Sequence, residues 1–63
     1  MASYRCYFVG TNGQLVGAET IVSERDEDAA VVARESFLRR AYAAGYELRQ
    51  GNRQIAVQEA QAS

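Results

Sequence analysis

A chain of 63 residues with a net charge of −1 makes at most one domain, and a domain of about 60 residues buries only about 60% of its unfolded surface. One cysteine excludes an intrachain disulfide, and the absence of histidine argues against a structural zinc site, which leaves self-association as the support for a small core, or else plain marginal stability. The near-neutral balance, with arginine as the only basic residue, argues against a dedicated nucleic-acid binder on bulk electrostatics.

No segment approaches the roughly 18 apolar residues of a membrane span. The opening MASYRCYFVG lacks the basic region and apolar run of a secretory signal, and with a free cysteine this points to the cytoplasm.

Ser3 to Val9 is rich in aromatic and β-branched residues and reads as a strand. Gly10-Thr11-Asn12-Gly13 makes a turn, and Leu15 to Val22 is the returning strand. Two registers compete. A two-residue Asn12-Gly13 turn sets Cys6 opposite Glu19, whereas a three-residue loop with left-handed Gly13 sets Gly10 opposite Gln14. The second pairs Phe8 with Val16, Tyr7 with Gly17, Cys6 with Ala18 and Arg5 with Glu19. It is preferred because it gathers one apolar face and opposes unlike charges.

Asp26 to Ala44 reads as the one long helix. Ala29, Ala30, Ala33, Phe37, Ala41 and Ala44 share a face within about 120° of the helical wheel. Small residues let such a helix lie close to a sheet, with Phe37 as its anchor. Ser23 or Asp26 can cap its start, where Glu24, Asp26, Glu27 and Asp28 complement the helix dipole. Arg39 and Arg40 lie near the negative end, and Gly45 fits a left-handed C′ position. Val31, Leu38 and Tyr42 form a second apolar stripe, either the margin of the core or a separate contact surface.

Tyr46 to Gln50 and Arg53 to Val57 form a second hairpin around Gly51-Asn52, a pair suited to a type II′ turn. That turn pairs Gln50 with Arg53, Leu48 with Ile55, and Tyr46 with Val57. Glu47, Arg49, Gln54 and Ala56 then share the other face. Residues 1–57 thus read as a single α+β domain of order ββαββ, and residues 58–63 as a flexible C-terminal tail. The simplest arrangement is a four-stranded antiparallel sheet of order 2-1-3-4 with the helix packed on one face. That helix would rest on Cys6, Phe8, Val16, Ala18, Tyr46, Leu48, Ile55 and Val57.

One helix covers one face only. The other would carry Tyr7, Val9, Leu15 and Ile21, an apolar set expected to bury against a second copy of the chain in a homodimer. Arg39, Arg40, Arg49 and Arg53 could gather at one end, near Tyr42 and Tyr46, as a surface for an acidic protein partner. The alternative occupant of that end is RNA or single-stranded DNA. A third reading, a small aromatic ligand held between subunits, has only the tyrosine count behind it.

No catalytic, cofactor-binding or metal-ligating residues emerge. Cys6 has no histidine to activate it and reads as a small core residue. The acids at 24–28 lack the ligand alternation of a calcium loop. Gly10 to Gly13 lacks the spacing and lysine of a phosphate loop and leads into a strand. The chain is therefore expected to be a non-enzymatic interaction module without a cofactor.

The runs Tyr4 to Phe8, Asn12 to Gly17, Glu24 to Asp28 and Glu47 to Arg53 together resemble a group of small bacterial proteins that form a domain of unknown function with a ββαββ pattern. The resemblance spans nearly the whole chain but rests mostly on turn glycines and strand alternation, and it implies no activity, cofactor or catalytic residue. Proteins of this kind carry an aromatic residue, often tryptophan, at the position of Arg49. Arginine there departs from the pattern and weighs against a role built on an exposed aromatic.

Overall fold

Alternating aromatic and polar residues at the start of the chain give β1 (Ala2–Val9), and the turn after it returns the chain as β2 (Leu15–Ser23). A single helix, α1 (Asp26–Leu38), crosses to the second hairpin, β3 (Gly45–Gln50) and β4 (Arg53–Gln58). In the computed structural model, which describes residues 1–59, the four strands form one antiparallel sheet of order β2-β1-β3-β4. The protein is an α+β fold of order ββαββ, with α1 packed on one face of the sheet. No described helix is long and apolar enough to cross a membrane.

The core lies between α1 and the two central strands. Tyr4, Cys6 and Phe8 of β1, Ile21 of β2, and Tyr46 and Leu48 of β3 are buried against Ala29 and Ala33 of α1. Alanines at the contact let the helix approach closely, and Phe37 closes one side with its ring 5.1 Å from that of Tyr46. Ser36, the third buried helix residue, is polar and donates to the Glu19 carboxylate.

Both hairpins turn as their residues dictate, and both then slip by one residue. At the first turn Gly13 is left-handed (φ 82°), and the Gly10 N–H donates to the Gln14 carbonyl, so the three-residue loop is the one formed. Val9 pairs with Leu15, but Phe8 pairs with Gly17, leaving Val16 as a bulge. Beyond it the register is that of the rejected alternative, with Cys6 opposite Glu19 and Arg5 opposite Thr20.

The second turn carries positive φ at Gly51 and not at Asn52, as type II′ requires, and pairs Gln50 with Arg53. A bulge at Ile55 then sets Leu48 against Ala56 and Glu47 against Val57. A one-residue slip exchanges faces, so Ala18 and Val57 lie on the side away from the helix and Ile21 and Ala56 lie beneath it. Val16 and Ile55 still pack against the margin of the core.

The helix is six residues shorter than its pattern. It ends at Leu38 with Arg39 as C-cap, where backbone bonds tighten from Arg39 to Ser36 and from Arg40 to Phe37. The Ala44 N–H donates to the Val9 carbonyl at 2.8 Å, so β3 starts its pairing with β1 where helix was expected. Ladder bonding to a buried strand overrides the helical propensity of Arg39 to Ala44. Gly45 accordingly opens β3 opposite Val9, with no left-handed φ.

At the other end Arg25 occupies the N-cap position, and no side chain caps the helix, neither Ser23 nor Asp26. Strand β4 runs to Gln58, one residue past the expected domain limit, and residues 60–63 of the expected tail lie outside the described residues.

Candidate interaction surface

The face opposite α1 is laid out in cross-strand rows. Near the first turn Leu15 and Val9 stand side by side, followed by the row Ala18, Tyr7, Glu47 and Val57. Next comes a polar row of Thr20, Arg5, Arg49 and Gln54, and then Val22 beside Ser3. Leu15, Val22 and Val57 are 61%, 56% and 52% exposed, although each stands on a hydrogen-bonded strand.

Of the four residues expected on this face, Tyr7, Val9 and Leu15 are there and contiguous. Ile21 is not: it is 4% exposed beneath the helix, because the Val16 bulge reverses the faces of the rest of β2. Val22, Ala18 and Val57 join the open face instead, all through the two bulges. No hairpin residue announces either bulge. The stripe of Val31, Leu38 and Tyr42 is exposed and forms no part of the core.

The arginines do not gather. Arg53 reaches the start of the helix and donates to Asp26 at 2.5 Å. Arg40 lies past the other end, about 20 Å away along a helix of 13 residues. There it donates to Glu19 at 3.3 Å and stacks its guanidinium 4.5 Å from the Phe8 ring centre. Arg49 is on the open face, directly across from Arg5, and is held by Glu47 at 2.9 Å. Arg39 is exposed at the C-cap. Strand alternation separates Arg49 from Arg53, and the early end of the helix separates both from Arg39 and Arg40.

Two polar clusters replace the expected basic end. In the first, the Tyr4 hydroxyl donates to Asp26 at 2.6 Å while Arg53 takes the other carboxylate oxygen. The hydrogen bond from the tyrosine hydroxyl, followed by the hydrogen bond and charge of the arginine, holds the Asp26 carboxyl below its ordinary range, and the same tyrosine bond raises Tyr4.

In the second, Glu19 accepts from Ser36 and from Arg40 beside Cys6. Burial, and to a lesser degree Glu19, push the Cys6 thiol up to about 11, so it is a neutral core residue at physiological pH. Among the described residues no enclosed pocket is found, and no three His, Cys, Asp or Glu side chains converge as metal ligands do. Comparison with protein-family models, with curated proteins and with solved structures finds no match.

Proposed function

We propose that this protein is a small, non-enzymatic, cytoplasmic interaction module that associates with a second copy of itself through the open face of the sheet. One observation carries the reading. Leu15, Val9, Ala18 and Tyr7 form a continuous apolar block on that face, with Val57 beyond Glu47 at its far side, and no described element of the chain lies above it. A solvated sheet face alternates to polar residues; here the one fully polar row is Thr20, Arg5, Arg49 and Gln54, with Glu47 and Ser3 as the polar members of the rows on either side.

The dimensions suit the reading. The molecule measures 36 × 23 × 15 Å, and its broad face offers an area on the order of the 800 Å² that each partner contributes to a standard interface. Burying the block also adds apolar area to a core in which three of the described buried hydrophobic residues are small, Ala29, Ala33 and Cys6.

The test is solution mass by light scattering across a dilution series, with a thermal melt at each concentration. Association should raise the melting temperature with concentration. Leu15→Asp and Val57→Lys, both at exposed positions, should lower the associated mass without loss of helix signal. An unchanged mass in both variants would refute the assigned face.

A further inference from the structure

We infer that the free edge of β2 pairs with β2 of a second copy, antiparallel across a two-fold axis at Thr20, to make one continuous eight-stranded sheet. The inference rests on the self-association reading above but concerns a different contact.

The sheet has two edges, β2 and β4, and they are not alike. β4 has six residues, begins with Arg53 and is broken by the bulge at Ile55. Short length, charge and bulges are the devices that keep an edge from pairing. β2 has nine residues, and from Gly17 to Ser23 its pairing with β1 is regular. It contains no lysine, arginine or proline. Its one charge, Glu19, is turned to the helix side and held by Ser36 and Arg40, so it does not guard the edge.

The outward polar groups can be assigned. The Val9 carbonyl accepts from Ala44 on the β3 side, so the odd residues of β1 direct their backbone groups toward β3. Ala18, Thr20 and Val22 stand opposite Tyr7, Arg5 and Ser3. Their N–H and C=O groups therefore point out of the sheet, with no described strand beyond them.

Symmetry selects the partner and the register. Pairing centred on Glu19 would place two carboxylates directly opposite each other, which is destabilising. Centring on Thr20 places Thr20 against Thr20, Ala18 against Val22, Glu19 against Ile21 and Gly17 against Ser23. Each residue keeps its face, Val22 gains an apolar neighbour, and the two open faces become one. Face contact then joins two such pairs into a tetramer.

The experiment is amide hydrogen exchange on the full chain over a concentration series, with mass measured in parallel. The Ala18, Thr20 and Val22 amides should slow by roughly tenfold or more as the mass rises, reaching the protection typical of ladder bonds. Thr20→Pro removes a donor that β1 does not use, a position where an edge strand tolerates proline. It should leave the Glu19 and Ile21 amides protected and reduce the assembly to a face-joined dimer. Val57→Lys should instead leave an edge-paired dimer in which the three amides stay slow.

Free exchange of Ala18, Thr20 and Val22 in an associated wild-type chain overturns the edge pairing and leaves the face contact standing. Slow exchange with a mass unmoved by Val57→Lys and Leu15→Asp does the reverse. A chain that stays monomeric at every concentration overturns both.

Discussion

Ile21 and Val22 are neighbours of nearly equal hydrophobicity, and the Val16 bulge decides which of them is inside. Ile21 is 4% exposed beside Tyr4 in the core, whereas Val22 stands on the open face beside Ser3. Ile21→Ala removes buried methyl and methylene groups from a site roofed by Ala29 and Ala33, which can collapse only partly around the loss. Large-to-small changes of this kind cost about 2–5 kcal/mol, and a position on an outer strand belongs near the lower end, about 2–3 kcal/mol. For a domain of this size each kcal/mol moves the melting temperature by roughly 4–8 °C, so the midpoint should fall by roughly 10–20 °C. Val22→Ala, at an exposed site, should cost about 0.5 kcal/mol or less. Thermal and urea melts must be made at a dilution where light scattering shows monomer, since the edge pairing would draw on Val22. Without the bulge the two residues exchange faces. Equal losses, or a larger loss in Val22→Ala, would therefore refute the register and with it the composition of the open face.

Two predictions follow from the polar clusters. Asp26 has a folded pKa below its unfolded value of about 3.9, so its stabilising contribution is present above that value and is lost as pH falls through the folded one. Asp26→Asn should flatten that acid limb of a urea-midpoint profile, and Tyr4→Phe should move the Asp26 carboxyl titration, followed by carbon NMR, back toward the ordinary range; an Asp26 titration unchanged by Tyr4→Phe would discount the hydroxyl. Cys6 is fully buried with its pKa at about 11, so at pH 8 a thiol reagent should label the native chain no faster than the chain opens, and denaturant should accelerate labelling sharply. Rapid stoichiometric labelling under native conditions would mean that the thiol is accessible and activated.

The architecture was legible because each level of the sequence agreed with the next. Glycine-centred turns, a polar–apolar alternation on β1 and β3, and an alanine-faced helix all point to two hairpins joined by a helix; the strand order β2-β1-β3-β4 is the simplest arrangement of those parts, and none of these signals dictates it. What the sequence did not disclose are the two bulges. Their turns are correct at Gly13 and Gly51, and the slip comes only after the first pairs, at Val16 and Ile55. Nothing local favours it; the gain is tertiary. On β2 the slip brings Ile21 under the helix, and it brings Glu19 within reach of Ser36 and Arg40. The arginine cluster failed for a related reason. Proximity in sequence says little about proximity in space once strand parity sends Arg49 and Arg53 to opposite faces.

The helix itself shows why one side of this sheet is closed and the other is not. Thirteen residues is near the length at which an isolated helix is marginal in water, and this one lacks a side-chain cap at its start. Asp26 would be the natural N-terminal partner for the backbone, but its carboxylate is engaged by Tyr4 of β1 and Arg53 of β4. At the far end Ser36 and Arg40 hold Glu19 of β2. The helix is thus tied to both outer strands and to β1 by its two ends, while its middle, Ala29 and Ala33, only needs to be small. Arg53 is largely exposed and Asp26 about half-buried, and such a solvent-screened pair is worth little in energy; its effect is to fix where the helix sits. The open face has no comparable ties. Its ion pair, Arg49 with Glu47, lies within one strand, and the Gln54 bond to Glu47 links neighbours in the same sheet. Polar groups on that side hold the sheet to itself, and no described polar contact crosses Tyr7, Val9 and Leu15.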